Sequence, residues 1–89
     1  MYYNYFVEYL GAAFFIYVIL ATGNPLAIGA ALALVILITS KISGGHINPA
    51  VSITMAATGD LDVADLIPYI VAQVFGGLTA FEIYKRVQA

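Results

Sequence analysis

The sequence predicts an all-α membrane protein with three transmembrane helices and one re-entrant half-helix. Three observations predict it. Of the 89 residues, 63% are hydrophobic and only 9% are charged, more apolar surface than a soluble domain of this size can bury. That apolar content is gathered into blocks long enough for membrane helices. A polar, glycine-containing break at residues 43–48 separates two such blocks and is followed by an apolar helix too short to cross.

The first helix is expected over about residues 5–22. Tyr2, Tyr3, Tyr5 and Tyr9 suit the headgroup level, where a ring stays apolar while its hydroxyl stays wet. The uncharged, tyrosine-rich start is unlike a cleaved signal peptide. Glu8 lies about one turn in, and a carboxylate at that depth is expensive. It reads either as an interfacial group reaching outward or as a buried acceptor for loop N–H groups.

Thr22-Gly23-Asn24-Pro25 reads as a tight turn. Asn24 is a preferred N-cap, because its side chain accepts a bond from a free backbone N–H, and Pro25 fits the first helical position. The second helix is expected over about 25–41. Its pairs Gly29/Ala33 and Ala27/Ala31 are small residues four apart, a spacing that lets membrane helices approach closely.

Asn48-Pro49 repeats the cap-plus-proline signal. The helix it opens is expected over 49–58, with Gly59 at the usual C′ place. Such a helix is roughly 15 Å long, half a hydrocarbon core of ~30 Å. It enters the membrane, turns at the midplane and leaves on the side it came from. Asp62 then caps a last helix over about 63–87, with Asp65 near its positive end. Pro68 predicts a bend or frayed start in that helix. Ala72, Gly76 and Ala80 form a small-residue ridge, with Gln73 and Gly77 beside it. Tyr84, Lys85 and Arg86 mark the far interface.

The whole chain, 1–89, reads as one repeat unit of a multi-pass integral membrane protein. Three crossings put Lys41 and the acids Asp60, Asp62 and Asp65 on one side, and Lys85 and Arg86 on the other. So weak a Lys/Arg bias permits insertion both ways up. The net charge of −2 carries no nucleic-acid footprint, and the absence of cysteine leaves the redox compartment unread. No spacing supports a catalytic triad among Glu8, His46 and the nearby serines, so no enzyme is expected. A lone His46 reads as a packing and hydrogen-bonding residue or a titrating switch; without other ligands it is a poor metal site, and no cofactor is expected.

An energetic argument points to a second copy. The half-helix starts with unpaired N–H groups, and irregular backbone at membrane depth is tolerated only against protein or water. Three helices offer too little wall to surround it. The cheapest cover is another copy, and an inverted one brings two half-helix starts together at the midplane, as in inverted-repeat transporters.

The run Ser43-Gly44-Gly45-His46-Ile47-Asn48-Pro49-Ala50-Val51-Ser52 resembles the Asn-Pro-Ala loop in the first half of the aquaporins, the major intrinsic protein family. Glu8-Tyr9-Leu10-Gly11 is similar to the start of that family's first helix, and Ala72-Gln73 with Gly76-Gly77 to its third. Family chains carry two such halves, inverted; this one resembles a single half. The resemblance implies a passive channel for water or small uncharged solutes, completed by an antiparallel homodimer, with four pores made from eight chains. It implies that Glu8, with Gln73, supports the loop. It also implies that carbonyls of Gly44, Gly45, His46 and Ser43 line a single-file path, and that the Asn48 amide donates to the permeant at the midplane. Pro49 and Ala50 complete the motif.

One residue departs from the pattern. Where the family's second half carries an Arg after Asn-Pro-Ala, Val51 stands here. The same alignment turns Ile28, Ile36 and Gly45 toward the filter regions. The expected constriction is apolar, uncharged and alike at both mouths, which leaves water, ammonia and glycerol-like solutes open as permeants. The rival readings are a subunit that pairs with a separate second half, a three-helix carrier with alternating access, and an inert or designed half-channel.

Overall fold

The computed structural model describes residues 2–88, with side chains from residue 3 to 87. The interfacial role read for the Tyr2 ring falls outside them. Four helices follow one another: α1 (Tyr2–Thr22), α2 (Pro25–Thr39), α3 (Pro49–Thr58) and α4 (Val63–Gln88). α1 starts three residues before the position expected from sequence, and α2 stops two residues short. The structure measures 42 × 23 × 19 Å.

Local chemistry sets the boundaries. Asn24 accepts the N–H groups of Leu26 and Ala27 at 2.9 and 3.1 Å, with Pro25 in the first turn of α2. Asn48 accepts the Ala50 N–H at 2.7 Å, with Pro49 behind it. α3 ends where Gly59 turns left-handed at φ 90° and its N–H meets the Ala56 carbonyl. Asp62 caps α4 through the Ala64 N–H at 3.1 Å. Pro68 causes no frayed start, since α4 runs unbroken through it.

α1 is the centre of the fold. The two-residue link through Gly23 and Asn24 sends α2 back antiparallel beside it. α4 runs parallel to α1, because Tyr5 meets Asp65, Tyr9 meets Thr79 and Tyr17 meets Tyr84 in rising order. Their backbones approach closely at Gly76, where a Cβ would run into the Tyr9 carbonyl oxygen and lie 3.0 Å from the Ala12 methyl. The buried stripe of α4 is Tyr69, Gln73, Gly76 and Ala80. This differs from the expected ridge, because Ala72 sits one position off the face that meets α1 and is only half-buried. On α2 the face toward α1 is Ala31, Val35 and Thr39, while Gly29 and Ala33 are exposed. Tyr5 and Tyr9, read from sequence as headgroup residues, turn their hydroxyls to Asp65 and Thr79, each at 2.6 Å.

α2 and α4 make no contact with each other among the described residues. The gap between them, floored by α1, holds loop 40–48 and the start of α3. The outer surface is apolar: Leu26 is 85% exposed and Leu37 is 78% exposed. α1 and α4 are long and apolar enough to cross a membrane. α2, expected as a third crossing, has 15 residues and measures roughly 22 Å, less than the ~30 Å core.

Candidate functional site

Loop 40–48 supplies the site. Gly44, Gly45 and Ile47 all take positive φ, at 94°, 64° and 65°. Glycine does this freely; a β-branched residue does not. Two forces hold Ile47 there. Its side chain is buried in a cluster with Ala12 and Val35, its Cδ1 lying over Gly11. Its N–H is taken by Glu8 Oε1 at 2.7 Å.

Glu8 is fully buried. Oε2 accepts the Ser43 hydroxyl at 2.6 Å and the His46 N–H at 3.1 Å; Oε1 accepts the Ile47 N–H and, at 2.9 Å, Gln73 Nε2. Every partner is a donor, so an acceptor-only carboxylate fits the position. Of the two readings of Glu8, the geometry is that of a buried loop acceptor. The left-handed backbone turns two successive N–H groups onto one carboxylate, a nest built around an anion.

Gln73 Nε2 also donates to Ser52 Oγ at 2.8 Å, and Ser52 Oγ lies 2.8 Å from His46 Nδ1. Tyr69 donates to the Ser43 carbonyl at 2.6 Å and stacks at a tilt on the His46 ring, 5.2 Å away. Loop and α3 are thus tied to α1 and α4 by polar bonds away from water.

The opposite side of the loop is open. A groove of about 230 Å³ runs between α1, α2 and the loop, lined by Phe15, Leu32, Ile36, Gly45, His46, Ile47, Asn48 and Val51. A second, of about 470 Å³, lies toward α4 and includes Pro49 and Gln73. Phe15, Ile47 and Asn48 border both. Of the residues named from sequence, Ile36, Gly45, His46, Asn48 and Val51 come together in the first groove. Gly44 and Ala50 are exposed beside it. Ile28 is half-buried two turns earlier on α2 and is not among the lining residues. The carbonyls of Gly44, Gly45 and His46 meet no donor among the described residues.

The sequence gives Ser52 only as the end of the run around Asn48, and gives Tyr69 and Phe15 no role. Each carried a spacing signal. Ser52 is one turn after Asn48, Tyr69 is one turn before Gln73, and Phe15 follows Glu8 by two turns on the same face of α1.

The family model for Major intrinsic protein matches residues 21–89. The chain is 40% identical over 86 residues to glycerol uptake facilitator protein-like 6 of Lactiplantibacillus plantarum, covering 86% of this chain and 40% of that protein. It is 41% identical over 92 residues to aquaporin-8 of Notomys alexis, covering 91% of this chain and 35% of that one. With aquaporin Z of Brucella melitensis the identity is 47% over 58 residues, covering 65% of this chain and 25% of that protein. The chain spans 40% or less of the length of these relatives. A match over most of the chain, added to the polar loop and the two membrane-length helices, makes this an integral membrane protein of the major intrinsic protein family.

Proposed function

We propose that the chain is one half of a passive pore for water and small uncharged solutes, completed by a second, inverted copy. One observation carries the reading. Asn48 uses its Oδ1 as the cap of α3, which leaves the amide N–H₂ of this exposed residue without a partner among the described residues, at the junction of the two grooves. Those hydrogens are donors for a permeant that has lost its hydration shell. The unbonded carbonyls of Gly44, Gly45 and His46 are the matching acceptors.

The inverted copy supplies the missing wall. Its own α3 start would face this one across the midplane. Each start contributes roughly half a positive charge, so together they oppose cations. α2 and the turn after it make the third crossing, which sets the termini on opposite faces and allows both orientations. Four such pairs, eight chains in all, would make the assembly. With Val51, Ile36 and Ile28 toward the mouths, the constrictions are apolar and alike, which suits neutral solutes moving equally in both directions.

A second reading is favoured by length: the relatives are more than twice as long as this chain, which suits a second half of different sequence. Reconstitution separates the two. Proteoliposomes of the chain alone, followed by light scattering after an osmotic step, should shrink several-fold faster than empty vesicles. Single-cysteine variants at one terminus should label from both faces. Shrinkage no faster than in empty vesicles, restored by adding a distinct second half, would replace the first reading with the second.

A further inference from the structure

The buried polar chain behind the loop has a direction. Glu8 accepts from every partner, so Gln73 must present its amide nitrogen to it at 2.9 Å. The same nitrogen spends its other hydrogen on Ser52 Oγ at 2.8 Å. Among the described residues Gln73 Oε1 is buried without a partner, which fits this fixed orientation of the amide. Ser52 is fully buried, and its hydroxyl has only two partners among the described residues, Gln73 and His46 Nδ1. Since Gln73 donates to it, its own hydrogen is left for His46.

We infer that Ser52 is a positioning residue that holds His46 as the tautomer with its proton on Nε2. Nδ1 accepts the Ser52 hydroxyl at 2.8 Å. In the other tautomer Nδ1–H would donate to Ser52, and the serine hydrogen would be buried without an acceptor. A stranded buried donor disfavours that state at least about fivefold. Nε2 lies over exposed Gly44, 3.0 Å from where a Cβ would sit there, and His46 lines the groove with Asn48. The position of the ring proton is thus set from behind by Glu8, through Gln73 and Ser52. The tautomer does not rest on the pore reading.

Nitrogen NMR of the membrane-embedded chain tests it, labelled at its single histidine. The spectrum is recorded in alkaline buffer, and the two ring nitrogens are assigned by their shifts. The parent should show an unprotonated Nδ1 and a protonated Nε2. Ser52→Ala should show a mixture of tautomers, and Ser52→Thr should restore the parent pattern. A protonated Nδ1 in the parent overturns the inference without need of any variant, and so does a folded Ser52→Ala chain that keeps the parent pattern. Flux is read separately. A chain with the expected tautomer that conducts nothing supports the relay and counts against the pore built from two copies.

Discussion

Ile47 stands in the left-handed region at φ 65° with its N–H bonded to the Glu8 carboxylate at 2.7 Å. The two residues are 39 apart in sequence, on a loop and on α1. The left-handed backbone costs a β-branched residue about 1–2 kcal/mol. It is repaid by the bond to a buried charge and by the burial of the Ile47 side chain. The conformation that exposes Asn48 to the grooves depends on this pair.

Glu8→Ala should therefore be far more damaging than an apolar-surface change on the same helix. It strands the Ser43 hydroxyl, two backbone N–H groups and one Gln73 hydrogen. Unmet buried donors cost about 1–3 kcal/mol each, so the expected loss is on the order of 5 kcal/mol. Glu8→Gln keeps the size but turns one acceptor into a donor, and should lose about 2–3 kcal/mol. Thermal unfolding in detergent should rank parent, Gln and Ala in that order. Equal Tm values would return Glu8 to the interfacial role.

Ile47→Gly sets two effects against each other. Glycine removes the left-handed strain, about 1–2 kcal/mol. It also empties a site only 4% exposed and packed over Gly11, and truncating a buried Ile costs about 2–5 kcal/mol. Packing wins, so the variant should be less stable by about 1–3 kcal/mol. A more stable variant would mean that the loop is held by Glu8 alone.

The elements and the motif were legible in the sequence because they rest on local chemistry. Asn24-Pro25, Asn48-Pro49, Gly59 and Asp62 each act within one turn of where they stand. The buried face of α4 was largely legible, since Gln73, Gly76 and Ala80 are buried and only Ala72 is off the face. That of α2 was not: of its two small-residue pairs, Gly29/Ala33 is exposed, while Ala31 of the other packs with Val35 and Thr39; in a helix apolar all round, hydropathy carries no direction. The sequence puts the end of α2 at about Lys41, but the chain leaves the helix after Thr39, and Ser43 reaches Glu8. The roles of Ser52 and Tyr69 are not legible because their partners, His46, Gln73 and Ser43, meet them only after the chain has folded.

The two kinds of glycine make a paired experiment. At Gly76 a methyl would strike the Tyr9 carbonyl and lie 3.1 Å from the Ala13 nitrogen, backbone that cannot give way. Gly76→Ala should cost about 1–3 kcal/mol. At Gly29 nothing lies within 4 Å, and Ala is the better helix former by about 0.8–1.0 kcal/mol. Gly29→Ala should thus be neutral or stabilising in the isolated chain. If it instead weakens the multimer on a sizing column, another chain packs against that face of α2.

Asn48 separates a structural role from a functional one, because its two side-chain atoms do different things. Oδ1 caps α3 through the Ala50 N–H at 2.7 Å, and the amide nitrogen is left to the grooves. Asn48→Asp keeps the cap oxygen, since Asp caps as well as Asn. Its charge also sits favourably at a helix start. Stability should change by less than about 1 kcal/mol. The donor, however, becomes an acceptor and the positive field at the midplane is cancelled, so vesicle shrinkage should slow by about tenfold or more, the equivalent of one lost hydrogen bond of ~1.4 kcal/mol at the barrier. Asn48→Ala loses both roles and should cost about 1 kcal/mol of stability besides. An Asp variant that conducts like the parent would reduce Asn48 to a cap and take the pore's donor away from it.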